Sequence, residues 1–233
     1  MSDNILRYGA PLTLTNVSSN DVYQELSRVR PPLQGRSRQA QFAALDAFES
    51  MLRDRPLHKV TVQDVADMAK LSITSVYARF DGKKALVLAL HERVIQEWLR
   101  QLVLVLEAAN DDSDEVDRTA AAVMSAAVAY STEHAHVFTA VLSASDEETN
   151  QRAAGFIRAA SKTLADHLVP LLGGDAQRAE RDIDYAWRSV MSVLQQGWAL
   201  GEAEPARFPL SADDLAARLT EQFLALIQLS GPV

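Results

Sequence analysis

The chain has 233 residues, no cysteine and a formal net charge of −8, and 48% of its residues are hydrophobic. This length allows one large domain or two modest ones, each able to bury a core without covalent staples. Because the chain has no cysteine, it has no disulfides, thiolate metal sites or cysteine nucleophiles. Its negative net charge excludes a uniformly basic surface for binding nucleic acid.

Residues 1–35 form an N-terminal extension whose prolines and polar residues argue against a long regular element. The segment is nevertheless richer in apolar residues than a typical disordered tail. Two interpretations stay open, a loose leader and an arm that packs on the body or on a dimer partner. It has no basic flank followed by an apolar stretch, and residues 119–145 are too often broken by polar groups to span a membrane, so we expect a cytoplasmic protein.

Beyond the extension the helical period dominates and no stretch alternates like a strand, which predicts an all-α fold of about nine helices. The first helix is predicted over residues 38–53 and is stopped by Pro56. The second is predicted over residues 62–69, because Thr61 and Asp64 have the spacing of a capping box. These two elements open a domain that we place at residues 36–83.

A tight turn at residues 70–72 and a short second helix over residues 73–80 complete a helix-turn-helix. Ser72 is predicted to cap the second helix, so that its first residues face a major groove. Ile73, Thr74 and Ser75 are the candidates for reading bases, and no Arg stands among them for a bidentate guanine contact.

Other polar side chains around this module are candidates for contacts to the DNA backbone. Thr61, Tyr77 and Lys83 suit a phosphate clamp, and Arg36, Arg38 and Arg79 can reach a neighbouring groove or phosphate. Lys70 adds a charge in the turn. Residues 36–93 hold ten basic and seven acidic side chains, whereas residues 94–233 hold ten and twenty-one. A mildly basic module on an acidic body can bind DNA through its local field.

The remainder, residues 84–233, is predicted to be a larger helical body. A long helix over about residues 86–106 connects it to the module. Helix starts are predicted at Ser113, Ser145 and Ser211, each followed by acidic residues, and breaks at residues 170–174 and 201–209.

The middle helices carry an aromatic and sulfur-rich set of side chains that are candidate walls of a ligand pocket. These are Trp98, Leu102, Met124, Val128, Tyr130, Phe138, Leu142, Phe156, Trp187, Met191 and Gln195. A filled core is the open alternative for each of them. His134 and His136 stand two apart on a helix and so face different directions, which favours a helix-end role over a metal site. We expect no metal and no cofactor.

The helices over residues 182–200 and 211–229 are candidates for a four-helix dimer face. Gly197 and Ala199 would allow close approach. The apolar seam of the last helix consists of Leu215, Leu219, Phe223 and Leu226. The same stripe could instead face the subunit core.

The pattern of residues 61–86 resembles the DNA-binding domain of the tetracycline-repressor (TetR) family. The residues that carry the resemblance are Thr61-Val62, Asp64-Val65-Ala66, Leu71-Ser72, Val76-Tyr77, Phe80 and Lys83-x-Ala85-Leu86. The resemblance covers about residues 38–90. It implies a three-helix domain joined by a fourth helix to a ligand-binding body, a homodimer, a pseudo-palindromic operator on double-stranded DNA, and release by a small-molecule effector. Repression is the family default.

The sequence departs from that family at three places, namely in the turn, near the end of the first helix and after the recognition helix. Lys70 stands where glycine is usual, so either a left-handed lysine costs about 1 kcal/mol there or the turn adopts another shape. The usual glycine near Pro56 is also missing, and Arg79 and Asp81 replace the usual residues after the recognition helix, which leaves the operator sequence unpredicted.

Two other functions compete with that of a regulator. An enzyme is disfavoured, because the chain has no glycine-rich phosphate loop, nucleophile elbow or persuasive carboxylate pair. A helical adaptor that uses the three-helix module for protein contacts needs only its apolar positions. It would not explain the polar residues on the expected DNA side, and it predicts no salt-dependent DNA association.

Overall fold

The computed structural model describes residues 35–108, 115–200 and 207–228, and within these ranges the chain is all-α. The extension at residues 1–34 and the predicted helix start at Ser113 lie outside the described residues. Nine α-helices occur in the described ranges, together with a 3-10 turn at Leu57–Lys59. The predicted fold class, a helix-turn-helix domain on a larger helical body, is confirmed.

The helices are numbered in chain order. They are α1 Gly35–Asp54, α2 Val62–Met68, α3 Ile73–Tyr77, α4 Gly82–Ala108, α5 Glu115–Glu133, α6 Ala135–Ser143, α7 Glu147–Leu172, α8 Ala176–Leu200 and α9 Ala212–Gln228.

The first three helices pack around one small core. Leu45 and Phe48 of α1, Val65 of α2, and Val76 and Phe80 at α3 are all buried, each at 1% exposure or less. Ala66 is also fully buried where α2 crosses its neighbours. Short helices cannot hold their angle alone, so this shared core fixes the helix-turn-helix.

Several boundaries differ from the predicted ones. Helix α3 ends at Tyr77 rather than residue 80, because the amide of Arg79 bonds back only three residues, to Val76, which tightens the last turn. Helix α7 is capped by Asp146 rather than Ser145, with Asp146 Oδ1 accepting from the Thr149 amide at 2.9 Å. It also runs through Pro170 and ends before Gly173, whose φ is 65°.

The connecting helix α4 begins at Gly82, four residues before the predicted start, and it contacts α1 as well as α5, α6 and α7. It therefore belongs to both parts of the molecule. In the body α9 packs on α5 and α8, and α8 packs on α6 and α7. No helix in the described part of the chain is both long enough and apolar enough to cross a lipid bilayer.

The predicted seam of α9 is wrong in part. Leu219 and Phe223 are buried in the subunit's own core, at 2% and 0% exposure, while Leu215 and Leu226 are half-buried against that core. A stripe of apolar residues indicates that something covers it but not what does, and here α5 and α8 of the same chain cover it.

Candidate nucleic-acid interface

Helix α2 starts with the predicted capping box. The Thr61 hydroxyl accepts from the Asp64 amide at 3.1 Å, and the Thr61 amide donates to Asp64 Oδ2 at 2.9 Å. The bond from the Thr61 amide holds the pKa of Asp64 below its ordinary value. Thr61 itself is exposed, so its hydroxyl hydrogen can still reach a phosphate.

The turn between α2 and α3 is held by backbone bonds. The Leu71 amide donates to the carbonyl of Ala66 at 2.9 Å and the Lys70 amide to that of Asp67 at 3.2 Å, which is the bonding pattern of a Schellman motif. Lys70 has a φ of 55°, so the left-handed alternative of the two that the sequence left open occurs here. Its side chain is exposed.

Helix α3 presents one exposed face beside its buried one. Ser72 caps it, with the hydroxyl accepting from the Ser75 amide at 3.1 Å, as predicted. Ile73 and Tyr77 lie one turn apart and are 36% and 51% exposed, and Thr74 between them is exposed as well. Large side chains are thus left in water beside the buried Val76.

Two predicted contact residues of α3 are engaged with each other. Arg79 Nη1 donates to the Ser75 hydroxyl at 2.8 Å and to the Ser75 carbonyl at 2.5 Å, and both residues are half-buried. Neither side chain therefore lies open on the exposed face. Their mutual contact fixes both side chains, and only the donors that it leaves over can contact DNA.

Lys83 also differs from the simple phosphate contact that the sequence predicts. Its ammonium donates to the carbonyls of Leu57 and Val60, each at 3.0 Å, and the side chain is half-buried. It ties the start of α4 to the loop before α2. Arg38 is half-buried on α1, whereas the side chain of Arg36 lies outside the described residues.

A charged cluster joins the three-helix domain to the body. Arg93 of α4 donates to Asp46 and Glu49 of α1 at 2.5 and 2.6 Å, and His136 Nε2 of α6 lies 3.5 Å from Glu49 Oε1. His136 and Arg93 together lower the pKa of Glu49 to about 2, against the opposing effect of its burial. Glu49 is thus a carboxylate held between the two parts of the molecule.

The body contains an aromatic cavity bounded by α4, α5, α6, α7 and α8. Its volume is about 20 Å³, close to the minimum that holds one water. It is lined by Trp98, Ala127, Tyr130, Ser131, Phe138, Phe156, Trp187, Met191, Leu194 and Trp198. The cavity is therefore nearly filled by its own walls.

Six of the predicted pocket residues meet at this cavity, namely Trp98, Tyr130, Phe138, Phe156, Trp187 and Met191. Leu102, Met124 and Val128 lie in the core beyond its lining, and Leu142 is half-buried. Gln195 is an error of the sequence analysis, because it is exposed on α8 and does not line the cavity.

The sequence analysis missed Ser131 and Trp198, which form a polar link in the cavity wall. Trp198 Nε1 donates to the Ser131 hydroxyl at 2.8 Å, and the Trp198 ring lies 4.2 Å from that of Phe138 at an angle of 20°. Trp198 continues the helical period of the buried Trp187 and Leu194, which is a signal that could have found it. Ser131 carried no signal, because its role depends on a partner 67 residues away.

Tyr130 uses its polar group inside the protein. Its hydroxyl donates to the Val94 carbonyl at 2.6 Å, which ties α5 to α4. Burial raises the pKa of Tyr130 above its ordinary value, so the donor stays protonated. His134 stacks on the Tyr130 ring at 4.1 Å and occupies the position before α6, which confirms its predicted helix-end place.

A larger groove of about 470 Å³ lies on the surface between α7 and α8. Its walls mix both signs of charge, with Arg158, Lys162 and Arg181 beside Glu180 and Asp184. Arg188 and Asp184 pair within α8 at 2.9 Å. It shares none of the predicted pocket residues.

Residues 44–90 match the family model described as bacterial regulatory proteins, tetR family. No curated protein matches the chain. A TetR-family transcriptional regulator from Streptomyces coelicolor has a similar fold, with a TM-score of 0.61 at 20% identity over 84% of this chain and 81% of that one.

Two further solved structures share the fold. The TetR family repressor AlkX from Dietzia sp., implicated in biodegradation of n-alkanes, is 19% identical, with a TM-score of 0.52 over 81% of this chain and 97% of that one. The TetR family transcriptional regulator PfmR from Thermus thermophilus is 18% identical, with a TM-score of 0.52 over 78% and 97%. These likenesses establish the fold.

Proposed function

We propose that the chain represses transcription by holding a pseudo-palindromic operator as a homodimer and that a small molecule releases it, because residues 44–90 match the family model of tetR-family regulatory proteins. Residues 36–83 are the DNA-binding domain and residues 84–233 the ligand-binding and dimerisation body. The extension at residues 1–35 has no assigned part in this function.

The observation that carries the proposal is the exposed face of α3. Ile73, Thr74 and Tyr77 stand out from a helix whose Val76 is buried, and Thr61 and Ser72 cap the helices of the same module. A surface built only for packing would not leave a tyrosine 51% exposed on such a short helix. Helix N-termini and hydroxyl groups bind phosphate, so the face suits a duplex backbone.

The contact residues divide by chemistry. Thr61, Tyr77 and the exposed ammonium of Lys70 bind phosphates, whereas Ile73 and Thr74 contact base edges. Ser72 acts through its cap. Ser75, Arg79 and Lys83 first support the domain and contact DNA only where their internal bonds allow it, and Arg36 and Arg38 remain further candidates for a flanking contact.

Dimerisation is supported by the outer face of α8, which we define as Tyr185, Ser189, Val193 and Leu200. These residues lie on one side of the helix, and Tyr185, Val193 and Leu200 are 56%, 38% and 42% exposed. Gly197 next to them is exposed as well and leaves room for a second helix. Two such faces related by a twofold axis would hold two recognition helices about 34 Å apart, as successive major grooves require.

The effector is proposed to act through α6. Phe138 of this helix lines the cavity, while His136 contacts Glu49 of the DNA-binding domain. A molecule that enters the cavity packs against Phe138 and can shift the helix that contacts α1. Release follows only if the effector binds the displaced arrangement more tightly than the original one.

Selection of bound genomic fragments, followed by footprinting of the full chain on the strongest fragment, tests the DNA-binding function. We expect a protected site with two half-sites and an affinity that falls steeply as salt concentration rises. An absence of salt-dependent protection would contradict the proposal and favour a helical adaptor.

A further inference from the structure

We infer that the effector of this chain is an uncharged, flat aromatic molecule with one hydrogen-bond acceptor, and that it takes the place of the Trp198 ring. The inference rests on the proposed function only in calling this molecule the effector. Its chemistry follows from the cavity itself.

The cavity walls exclude a charged ligand. None of the lining residues is Asp, Glu, Lys, Arg or His, and the wall consists of aromatic rings, aliphatic carbons, a thioether and two hydroxyl-bearing side chains. A charge that enters such a site loses its hydration and finds no opposite charge. A neutral molecule has no such loss.

One polar group of the lining is buried without a partner before any ligand enters. The Tyr130 hydroxyl is bonded to Val94, and the Ser131 hydroxyl accepts from Trp198. Trp187 Nε1 is different, because it has no hydrogen-bond partner among the described residues although Trp187 is fully buried. A buried donor without a partner is unfavourable, so a ligand that offers an acceptor gains from meeting it.

The rings of the wall favour a flat ligand. The Trp98 and Trp187 planes are parallel within 4°, with centroids 6.4 Å apart, and Phe138 lies nearly parallel to Trp198. Ring faces that are nearly parallel to one another make more contact with a flat aromatic ring than with a molecule of another shape. An aliphatic chain or a globular molecule would touch fewer of them.

Trp198 is the part of the wall that can give way. A volume of about 20 Å³ admits no organic molecule, so a side chain must move before one enters. Trp98, Phe138, Phe156 and Trp187 are at most 9% exposed, whereas Trp198 is half-buried on the last turn of α8. When its indole swings outward it leaves a flat, two-ring space on the face of Phe138, beside the Ser131 hydroxyl.

Four probes separate the parts of this inference by isothermal titration calorimetry on the full chain. Quinoline is neutral, flat and carries an acceptor, and naphthalene has the same shape without the acceptor. The 1-methylquinolinium cation has the shape with a fixed charge, and decalin is apolar but not flat. We expect quinoline to bind about tenfold more tightly than naphthalene, and the other two not to bind measurably.

Two variants assign the binding to the named groups. Trp187→Phe removes the free donor and keeps a smaller aromatic ring, and the lost volume affects quinoline and naphthalene alike, so the roughly tenfold preference for quinoline over naphthalene should disappear. Trp198→Ala removes the movable ring, so both neutral probes should bind about tenfold more tightly. Circular dichroism of both variants verifies that the helices are retained.

Equal affinity for quinoline and its methylated cation would overturn the inference, and so would an unchanged preference for quinoline in Trp187→Phe. The fate of the operator complex is read separately by footprinting with quinoline. Quinoline binding without release of DNA would uphold the ligand class and contradict the proposed release. DNA binding with no calorimetric signal from any neutral probe would overturn the ligand class and leave DNA binding standing.

Discussion

Glu49 of α1 and His136 of α6 meet across the boundary between the helix-turn-helix domain and the body, with 3.5 Å between Oε1 and Nε2. Arg93 of α4 donates to the same carboxylate at 2.6 Å. The Glu49 carboxylate of α1 thus contacts side chains of both α4 and α6.

Glu49→Gln is expected to lower the free energy of unfolding at pH 7 by about 1–2 kcal/mol, an amount already reduced for screening by water. Because the pKa of Glu49 is lowered to about 2, the stabilisation is fully present above pH 4.5 and is lost as the pH falls from there towards 2. Urea unfolding at several pH values measures this. Asp46→Asn is the control, since Asp46 also contacts Arg93 but its side chain is 69% exposed, and it should have a smaller effect.

His91 of α4 provides a second pH dependence in a different range. Burial, with a smaller contribution from the charge of Arg152, lowers the pKa of His91 from 6.5 to about 4. As the pH falls, His91 of the unfolded chain is protonated at a higher pH than His91 of the folded protein. The free energy of unfolding is therefore at its full value above pH 6.5 and falls by about 3 kcal/mol as the pH drops to 4. His91→Gln should flatten the curve between pH 6.5 and 4.5, and a variant curve parallel to the parent would show that another group titrates there.

Tyr77→Ala is expected to weaken DNA binding about tenfold on every sequence, because it removes a phosphate contact and not a base contact. Tyr77→Phe separates the hydroxyl from the ring, and Thr74→Val should change which site is preferred. Footprinting titrations on two unrelated fragments measure these effects. Leu104→Ala is the matched control, since Leu104 is 63% exposed on α4 outside the helix-turn-helix. Unchanged affinity of Tyr77→Ala would mean that α3 does not dock as proposed.

Lys70→Gly should raise the free energy of unfolding by about 1 kcal/mol, because glycine adopts a φ of 55° without the strain of a side chain. Lys70→Ala is the control, because it removes the same charge and keeps the strained geometry. Both variants should lose the same affinity for DNA, and only the first should gain stability in thermal unfolding. A similar gain in both would show that charge, and not backbone strain, sets the stability at this position.

Val193→Arg should convert a dimer into a monomer, because it places a charge in the centre of the outer face of α8. Sedimentation equilibrium measures the change, and operator affinity should fall with it. Gln195→Arg adds the same charge to the same helix on a different side, so it should leave the dimer intact. If both variants stayed dimeric, the chain would associate through another surface.

Local features were predictable because their partners are close in the chain. The capping box at Thr61 and Asp64, the Ser72 cap and the tight turn at Lys70 all depend on bonds within five residues. The buried stripes of α5 and α8 followed from the helical period alone.

Contacts between distant residues were not predictable. Lys83 looked like a surface cation because nothing in the sequence places the Leu57 and Val60 carbonyls, 26 and 23 residues earlier, beside its ammonium. The stripe with Leu219 and Phe223 was equally suited to a partner subunit and to the subunit core. Gln195 was misplaced because it stands next to the buried Leu194, and one residue turns a helix position by about 100°.

One residue separates His136, which contacts Glu49 of α1, from Phe138, which lines the aromatic cavity. The two contacts of α6 are therefore about 3 Å apart along the helix. Communication across this protein would then require no relay of side chains. A rigid shift of α6 by about 1 Å, which is ordinary for a packed helix, would change the contact with α1 and the wall of the cavity at the same time.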